Sequence, residues 1–143
     1  MKIVSIDFDG VIHSYKQPWV DYDVIPDPPV PGAIDFLRTL VKSGKYQVCI
    51  FSSRNVPSIN CGCNREEGRV PHIGRIAMLK YLLNYGLEFI YAEQIIFPIY
   101  KPPAHISIDD RGFHFEGSFP SIAFIDAFKP WNGKEDAYEV ENE

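Results

Sequence analysis

The segment at residues 3–10 most constrains what this chain can fold into, because a short apolar run leads directly into two carboxylates and a glycine. The apolar run is typical of a strand covered on both faces in a parallel sheet. Asp7 and Asp9 follow where that strand should end, and their spacing of two places both side chains on one side of an extended chain. Gly10 lets the backbone turn sharply beneath a ligand. By itself, this pattern fits two interpretations. The two acids repel each other and could be stabilised by a bound cation, or they could simply be a polar strand end followed by a turn.

The rest of the chain alternates predicted helices with predicted strands. Helices are predicted at 31–44 and from 73 to 84 or 86, and further strands at 46–51, 95–97, 105–108 and 122–125. Such alternation predicts an α/β fold with a mostly parallel sheet and right-handed crossovers. We therefore expect a Rossmann-like three-layer sandwich with a central sheet of about five strands.

The length of 143 residues predicts one domain, which we place at 1–131. A segment at 13–30, rich in proline and aromatic residues, cannot be helical and is predicted to form a flap beside the first strand. The stretch 55–71 is predicted to be a loop, too short and irregular for an independent domain. Residues 132–143 are predicted to form an acidic C-terminal tail.

Composition limits the class of protein and its location. The formal net charge of −5 argues weakly against a broad nucleic-acid or membrane footprint. No apolar run approaches transmembrane length and the first residues lack signal-peptide features, which predicts a cytoplasmic protein that does not bind membranes. Cys61 and Cys63, with His72 nearby, carry zinc-ligand chemistry, but this spacing is not a recognised complete zinc site. A reactive or merely exposed pair of loop cysteines is favoured.

Polar groups follow the apolar runs where each strand should end. They are Asp7 and Asp9 after the first strand, Ser52 after the second, and Asp109 and Asp110 after the fourth. Lys101 joins this set from the segment that precedes the fourth strand. Ligands of open α/β sheets bind outside the carboxyl ends of the strands, so we expect these groups to lie together. Carboxylates are suitable ligands for Mg²⁺, and a lysine neutralises phosphate. The set therefore suits phosphoryl transfer through a carboxylate nucleophile.

The same residues resemble the four sequence motifs of the haloacid dehalogenase (HAD) superfamily, in order and at compatible spacing. The matching segments are Asp7-Phe8-Asp9-Gly10, Phe51-Ser52-Ser53-Arg54, Lys101 and Ile108-Asp109-Asp110. The resemblance spans nearly the whole chain. The second acid of the first motif is what phosphatases and phosphomutases of that superfamily carry, so the resemblance implies a Mg²⁺-dependent phosphohydrolase.

By this resemblance Asp7 is the nucleophile and Asp9 the acid–base. Ser52 binds the phosphate through its hydroxyl, and Lys101 neutralises the phosphate charge.

The resemblance also implies a metal set. Asp7, Asp109 and Asp110 supply acids to Mg²⁺, with Asp110 favoured as the direct ligand of the late pair. The backbone carbonyl of Asp9 is expected on the metal too.

Superfamily members often insert a cap domain, and neither interval between the motifs seems long enough for one, so the chain resembles a small capless member. Substrate contacts are then expected from Gly10, Ser53 and Arg54, and from Trp19 and Tyr22 in the flap. Two alternatives stay open here. Arg54 could grip a second phosphate or pair with a nearby acid, and the flap aromatics could stack on a substrate ring or pack the flap down.

The leading hypothesis is a phosphomonoesterase acting on a nucleotide, a nucleic-acid end or a small phosphorylated metabolite. The alternative is a phosphate-binding or phosphoacceptor module, similar to receiver domains, without hydrolase turnover. Receivers place the acid pair after the first strand and the phosphorylated aspartate after the third, whereas here Asp-X-Asp comes first and the acid pair late. The sequence leaves the oligomeric state open, a homo-oligomer included.

Overall fold

Strand β1 (Lys2–Ile6) lies in the middle of the sheet, between β2 (Tyr46–Ile50) and β3 (Ile106–Ile108). Both neighbours run parallel to β1, with Ser5 opposite Cys49 on one side and opposite Ser107 on the other. The computed structural model describes residues 1–55 and 73–133. Within these residues the predicted α/β fold with a parallel sheet is confirmed.

Four helices accompany the sheet in the described residues: α1 (Ala33–Lys42), α2 (Ile73–Asn84), α3 (Phe89–Ala92) and α4 (Ile122–Ala127). A short 3₁₀ turn (Ser53–Asn55) follows β2. The predicted first and second helices are confirmed. Across the described ranges, no helix combines the length and the apolar character that crossing a membrane requires.

The hydrophobic core lies on one face of the sheet. Successive side chains of a strand point to opposite faces, so Val4, Ile6 and Phe8 share a face. These three are buried in one cluster with apolar side chains from the neighbouring strand and the helices. The other main members are Val48, Ile50, Leu37, Val41, Met78, Tyr81 and Leu82. The opposite face of the sheet carries different residues, including Ser5, Asp7, Ser107 and Asp109.

Two of the predicted strands are corrected by the structure. The run at 122–125 forms α4, because the Ser121 hydroxyl caps this helix by accepting a hydrogen bond from the Phe124 N–H at 3.0 Å. A four-residue apolar run fits a strand or a helix equally well by its periodicity, and here the cap decides. The run at 95–97 makes only one isolated bridge, between Ile96 and Cys49. Pro98 follows it and has no N–H to continue the pairing.

The sheet of the described residues therefore has three strands, in the order β2-β1-β3, and not about five. The predicted cysteine loop, with Cys61, Cys63 and His72, lies outside the described residues, as does the predicted tail from residue 134 onward. The domain limit at residue 131 stays a prediction.

Candidate active site

Three carboxylates meet at the carboxyl edge of the sheet. Asp7 directly follows β1, and Asp109 and Asp110 directly follow β3. Because β1 and β3 are parallel neighbours, their ends coincide, and the Asp7 N–H donates to the Ile108 carbonyl at 2.9 Å. One oxygen from each of the three carboxylates lies within 4.8 Å of the others. The predicted convergence of these acids is therefore what the structure shows.

Burial and the neighbouring acids together raise the pKa of Asp7 to about 8. Burial is the largest cause, followed by the hydrogen bond to Asp110 and the negative charges of Asp109 and Asp110. A hydrogen bond from the Phe8 N–H to Asp7 Oδ1, at 2.8 Å, acts in the opposite direction. A positive charge that joins the cluster would therefore favour the ionised form of Asp7.

The residues fit a hard divalent cation on the chemistry of the donor set. All three donors are carboxylate oxygens, which Mg²⁺ prefers. Asp110 Oδ1 is buried and has no hydrogen-bond partner, an arrangement that favours a further positive ligand. Asp109 is exposed, and its Oδ1 accepts a hydrogen bond from the Arg111 N–H at 2.8 Å. This difference supports the expectation that Asp110 is the direct ligand, which stays a prediction.

Gly10 allows Asp110 to approach β1. Its φ of 87° lies in the left-handed region, and a Cβ at this position would overlap the Asp110 carboxylate. The contact predicted between Gly10 and substrate stays a prediction. What the structure shows is that a side chain at position 10 would displace a member of the acid cluster.

Asp9 lies outside the acid cluster and is engaged on both of its carboxylate oxygens. Arg54 binds it in a bidentate manner, with Nε to Oδ2 at 2.7 Å and Nη2 to Oδ1 at 2.9 Å. His13 Nδ1 lies 2.7 Å from Asp9 Oδ1. Burial pushes the pKa of Asp9 up, but the hydrogen bonds from His13 and Arg54 outweigh it and hold that pKa below its usual range.

Arg54 also binds the backbone of the flap. Its Nη1 donates to three flap carbonyls, those of Asp21, Tyr22 and Val24, at 3.0 to 3.1 Å. The guanidinium lies over the Trp19 ring, 4.5 Å from its centroid. Of the two roles that the sequence leaves open for Arg54, the structure therefore shows the pairing with a nearby acid.

The flap aromatics pack against each other in this structure. Trp19 and Tyr22 form an edge-to-face pair with ring centroids 5.2 Å apart. Together with the contact between Trp19 and Arg54, this packs the flap down, which is one of the two alternatives stated for these rings. Their role in substrate binding stays a prediction.

A buried histidine joins the flap to Asp9. His13 is fully buried, and its Nε2 accepts a hydrogen bond from the Asp27 N–H at 3.1 Å. Since Nε2 accepts, Nδ1 carries the proton and donates to Asp9 Oδ1. The Tyr81 hydroxyl donates to the Asp27 carbonyl at 2.8 Å and ties the same segment to α2.

The Asp27 carboxylate accepts hydrogen bonds from residues near the beginning of the flap. Burial pushes its pKa up, but hydrogen bonds from Gln17 and Lys16 outweigh this and lower the pKa. The backbone N–H groups of Lys16 and Gln17 both donate to Asp27 Oδ2, at 2.7 and 2.9 Å.

Sequence reasoning missed Asp27, Tyr81 and Trp131 as parts of the site's support. The Trp131 Nε1–H donates to the Gly10 carbonyl at 2.6 Å, across 121 positions of sequence. The sequence offers one local signal for these residues: Asp27 is an acid with a proline on each side. This pattern does not identify the partners of Asp27. His13, which lies in the flap, also supports the site through its hydrogen bond to Asp9.

The two serines after β2 occupy different environments. Ser52 is buried, and its hydroxyl oxygen lies 3.2 Å from the Arg54 N–H, which donates to it. The end of β2, which precedes Ser52, lies beside the end of β1, because the Phe51 N–H donates to the Ile6 carbonyl at 3.0 Å. Ser53 is exposed at the start of the 3₁₀ turn. Their roles towards phosphate and substrate stay predictions.

A cavity of about 730 Å³ opens beside Asp7. Lys101 and Asp109 line it together with Asp7, so the predicted charge-neutralising lysine and two of the acids face one space. The cavity extends along β3. Its other lining residues are Ser5, Phe51, His105, Ile106, Ser107, Ile108, Gly112, Phe113, His114 and Phe115.

Comparison with known proteins finds no matching family model, no similar curated protein and no similar solved structure. The geometry of the site is therefore the basis for inferring the function.

Proposed function

We propose that the chain is a Mg²⁺-dependent phosphomonoesterase that acts through an aspartyl-phosphate on Asp7. One observation carries this proposal: three carboxylates from two neighbouring strand ends lie within 4.8 Å of one another. The cavity that Asp7 and Asp109 line also contains Lys101, which supplies a positive charge for a phosphate. The Rossmann-like, capless HAD architecture belongs to the same proposal.

The reaction has two steps on this chain's residues. A carboxylate oxygen of Asp7 attacks phosphorus, the ester bond breaks, and the leaving oxygen takes a proton from Asp9. A water molecule then attacks the phosphorus of the aspartyl-phosphate, gives a proton to Asp9 and frees Asp7. Bound Mg²⁺ supplies charge neutralisation for the phosphate and the acids. Lys101 and the Ser52 hydroxyl bind the phosphate oxygens.

The contacts of Asp9 set a condition on this proposal. A general acid must carry a proton, and the hydrogen bonds from Arg54 and His13 favour the ionised carboxylate. Asp9 must therefore leave at least one of these partners when it protonates the leaving oxygen. Substrate binding near Asp7 has to supply that change in contacts.

The same contacts favour a second candidate function. A chain that keeps Asp9 paired with Arg54 could be phosphorylated on Asp7 by a reactive phosphodonor, with the phosphoryl group then retained. This is the phosphoacceptor module without turnover. It uses the same acid cluster and Lys101, and it differs in whether the aspartyl-phosphate is hydrolysed.

Phosphate release from acetyl phosphate and p-nitrophenyl phosphate tests the proposal. We expect release that needs Mg²⁺, is abolished by EDTA, and falls at least about a thousandfold in Asp7→Asn. Asp35→Asn is the matched control, because Asp35 is an exposed acid of α1 and should leave the rate unchanged. Phosphorylation of one Asp7 per chain, without continued release, would support the phosphoacceptor module. Absence of both release and phosphorylation would refute the two functions together.

A further inference from the structure

We propose that the cavity beside Asp7 binds the nucleoside part of a nucleoside monophosphate, with the base between aromatic side chains that follow β3. This inference rests on the proposed phosphomonoesterase function and names its substrate class. Asp7 and Lys101 lie at the place where the phosphate would bind. The rest of the cavity extends away from them, so a group joined to the phosphate would occupy it.

The floor of the cavity is a polar face of the sheet. Ser5 and Ser107 face each other in register on neighbouring strands, and both line the cavity. They share the face of Asp7 and Asp109, opposite the hydrophobic core. His105 lies on the same face, two residues before Ser107, and also lines the cavity. Hydroxyl and imidazole groups at these positions can hydrogen-bond to sugar hydroxyls or base edges.

The walls of the cavity are aromatic. Phe51, which follows β2, lines the cavity, and so do Phe113 and Phe115, which follow β3. Phe113 and Phe115 are 48% and 53% exposed, so their rings are accessible to a ligand. Exposed aromatic rings stack readily on nucleobases, because each base has a planar π-face.

The volume also favours a ligand larger than phosphate. About 730 Å³ lies within the usual range for small-molecule sites, about 300 to 1,000 Å³. A phosphate alone would leave most of this space to water. A nucleotide would bring a planar base to the rings and a sugar to the polar floor.

The charges favour a single nucleotide over a nucleic-acid end. Lys101 is the one lysine or arginine among the described residues that line the cavity, while Asp7 and Asp109 are acids. A polynucleotide backbone needs several cations along its path. The formal net charge of −5 points in the same direction.

Substrate comparison tests the inference. We would measure kcat/KM for the common nucleoside 5′-monophosphates, for ribose 5-phosphate, which lacks the base, and for acetyl phosphate, which reports the basic chemistry. We expect the preferred nucleotide to exceed ribose 5-phosphate by at least about tenfold, in line with the stacking of one base. A 3′-phosphorylated oligonucleotide that exceeds every nucleotide would overturn the inference in favour of a nucleic-acid end.

Variants then locate the base. Phe113→Ala and Phe115→Ala should each raise KM for the preferred nucleotide about fivefold or more, and by a larger factor than KM for ribose 5-phosphate or acetyl phosphate. Phe89→Ala is the matched control, because Phe89 is 65% exposed in α3 and does not line the cavity. Equal kinetics of the wild type and both cavity variants on nucleotides would overturn the inference.

Binding of the nucleoside product, measured by isothermal titration calorimetry, separates this inference from the proposed function. We expect adenosine or another nucleoside to bind the wild type and the Phe89→Ala variant, and to bind both cavity variants more weakly. Phosphate release from acetyl phosphate with no nucleoside binding would support the phosphatase function and overturn the nucleotide site. Nucleoside binding lost in the cavity variants, with no phosphate release, would support the site and refute the phosphatase.

Discussion

Replacing Arg54 with methionine should remove a large part of the stability of this fold. The Arg54 side chain is 1% exposed and its partner Asp9 is 13% exposed, so the ion pair is almost fully buried. The substitution introduces an apolar side chain of similar length and leaves the Asp9 carboxylate without its bidentate partner. It also removes the donor that three flap carbonyls share.

The magnitude follows from this burial. Removing one partner of a buried ion pair costs about 3 to 5 kcal/mol, because an uncompensated charge stays in the interior. With a urea m-value of about 2 kcal/mol/M, a loss of about 4 kcal/mol lowers the unfolding midpoint by about 2 M. Native domains are stable by only about 5 to 15 kcal/mol, so this is a large fraction of the total.

Urea unfolding, followed by far-UV circular dichroism, measures the effect. Arg38→Met is the matched control. Arg38 also donates hydrogen bonds to both carboxylate oxygens of one acid, Glu88, but this pair lies on the exposed surface. Water screens such surface pairs, so this variant should lose far less stability. Arg54→Lys keeps the charge without the bidentate geometry and should fall between Arg54→Met and wild type.

A double-mutant cycle with Asp9→Asn keeps the prediction testable if Arg54→Met folds poorly. Removing the charge of Asp9 as well should recover part of the loss, because no buried charge is then left unpaired. Strictly additive losses in this cycle would refute the reasoning. So would a loss of less than about 1 kcal/mol in Arg54→Met, a value typical of a surface pair.

Two further predictions concern the acid cluster. In metal-free protein the folded pKa of Asp7 is raised from 3.8 to about 8, so between these values the native state binds more protons than the unfolded state and stability falls as pH rises. Urea unfolding midpoints measured in EDTA from pH 4 to 8 should show this decline in the wild type, and the Asp7→Asn variant should lack it. A wild-type midpoint that changes with pH no more than that of the variant would contradict the prediction. Gly10→Ala should weaken Mg²⁺ binding, measured by isothermal titration calorimetry, at least about tenfold, because its φ of 87° and the nearby Asp110 carboxylate leave no room for a Cβ. Unchanged affinity in a folded Gly10→Ala variant would show that Asp110 does not need this approach.

The convergence of the acids was predictable from the sequence because it depends on topology. Parallel strands place their carboxyl ends at one edge, so an acid after β1 and an acid pair after β3 must meet if the strands are neighbours. The apolar runs located these strands, and the amphipathic pattern located α1. For these elements local patterns were enough, because burial on one face leaves a period in the sequence.

The number of strands was not predictable in the same way. The runs at 95–97 and 122–125 have strand-like composition, but Pro98 stops pairing after one bridge and the Ser121 cap begins α4. Short apolar runs carry too few residues to show a period, so capping and backbone donors decided both.

The sequence by itself determined which chemical groups the site contains and the strand ends that present them. Only the tertiary structure decided which groups are partners: Asp9 pairs with Arg54, 45 positions away, while Asp7 joins the acids after β3. Asp7 and Asp9 are equivalent in a local pattern, since both are acids on one side of a strand end. Their surroundings differ: burial and two further carboxylates raise the pKa of Asp7, whereas hydrogen bonds from His13 and Arg54 outweigh burial and lower the pKa of Asp9. Such environments are set by contacts between distant parts of the chain, because desolvation and charge act through space and not along the sequence.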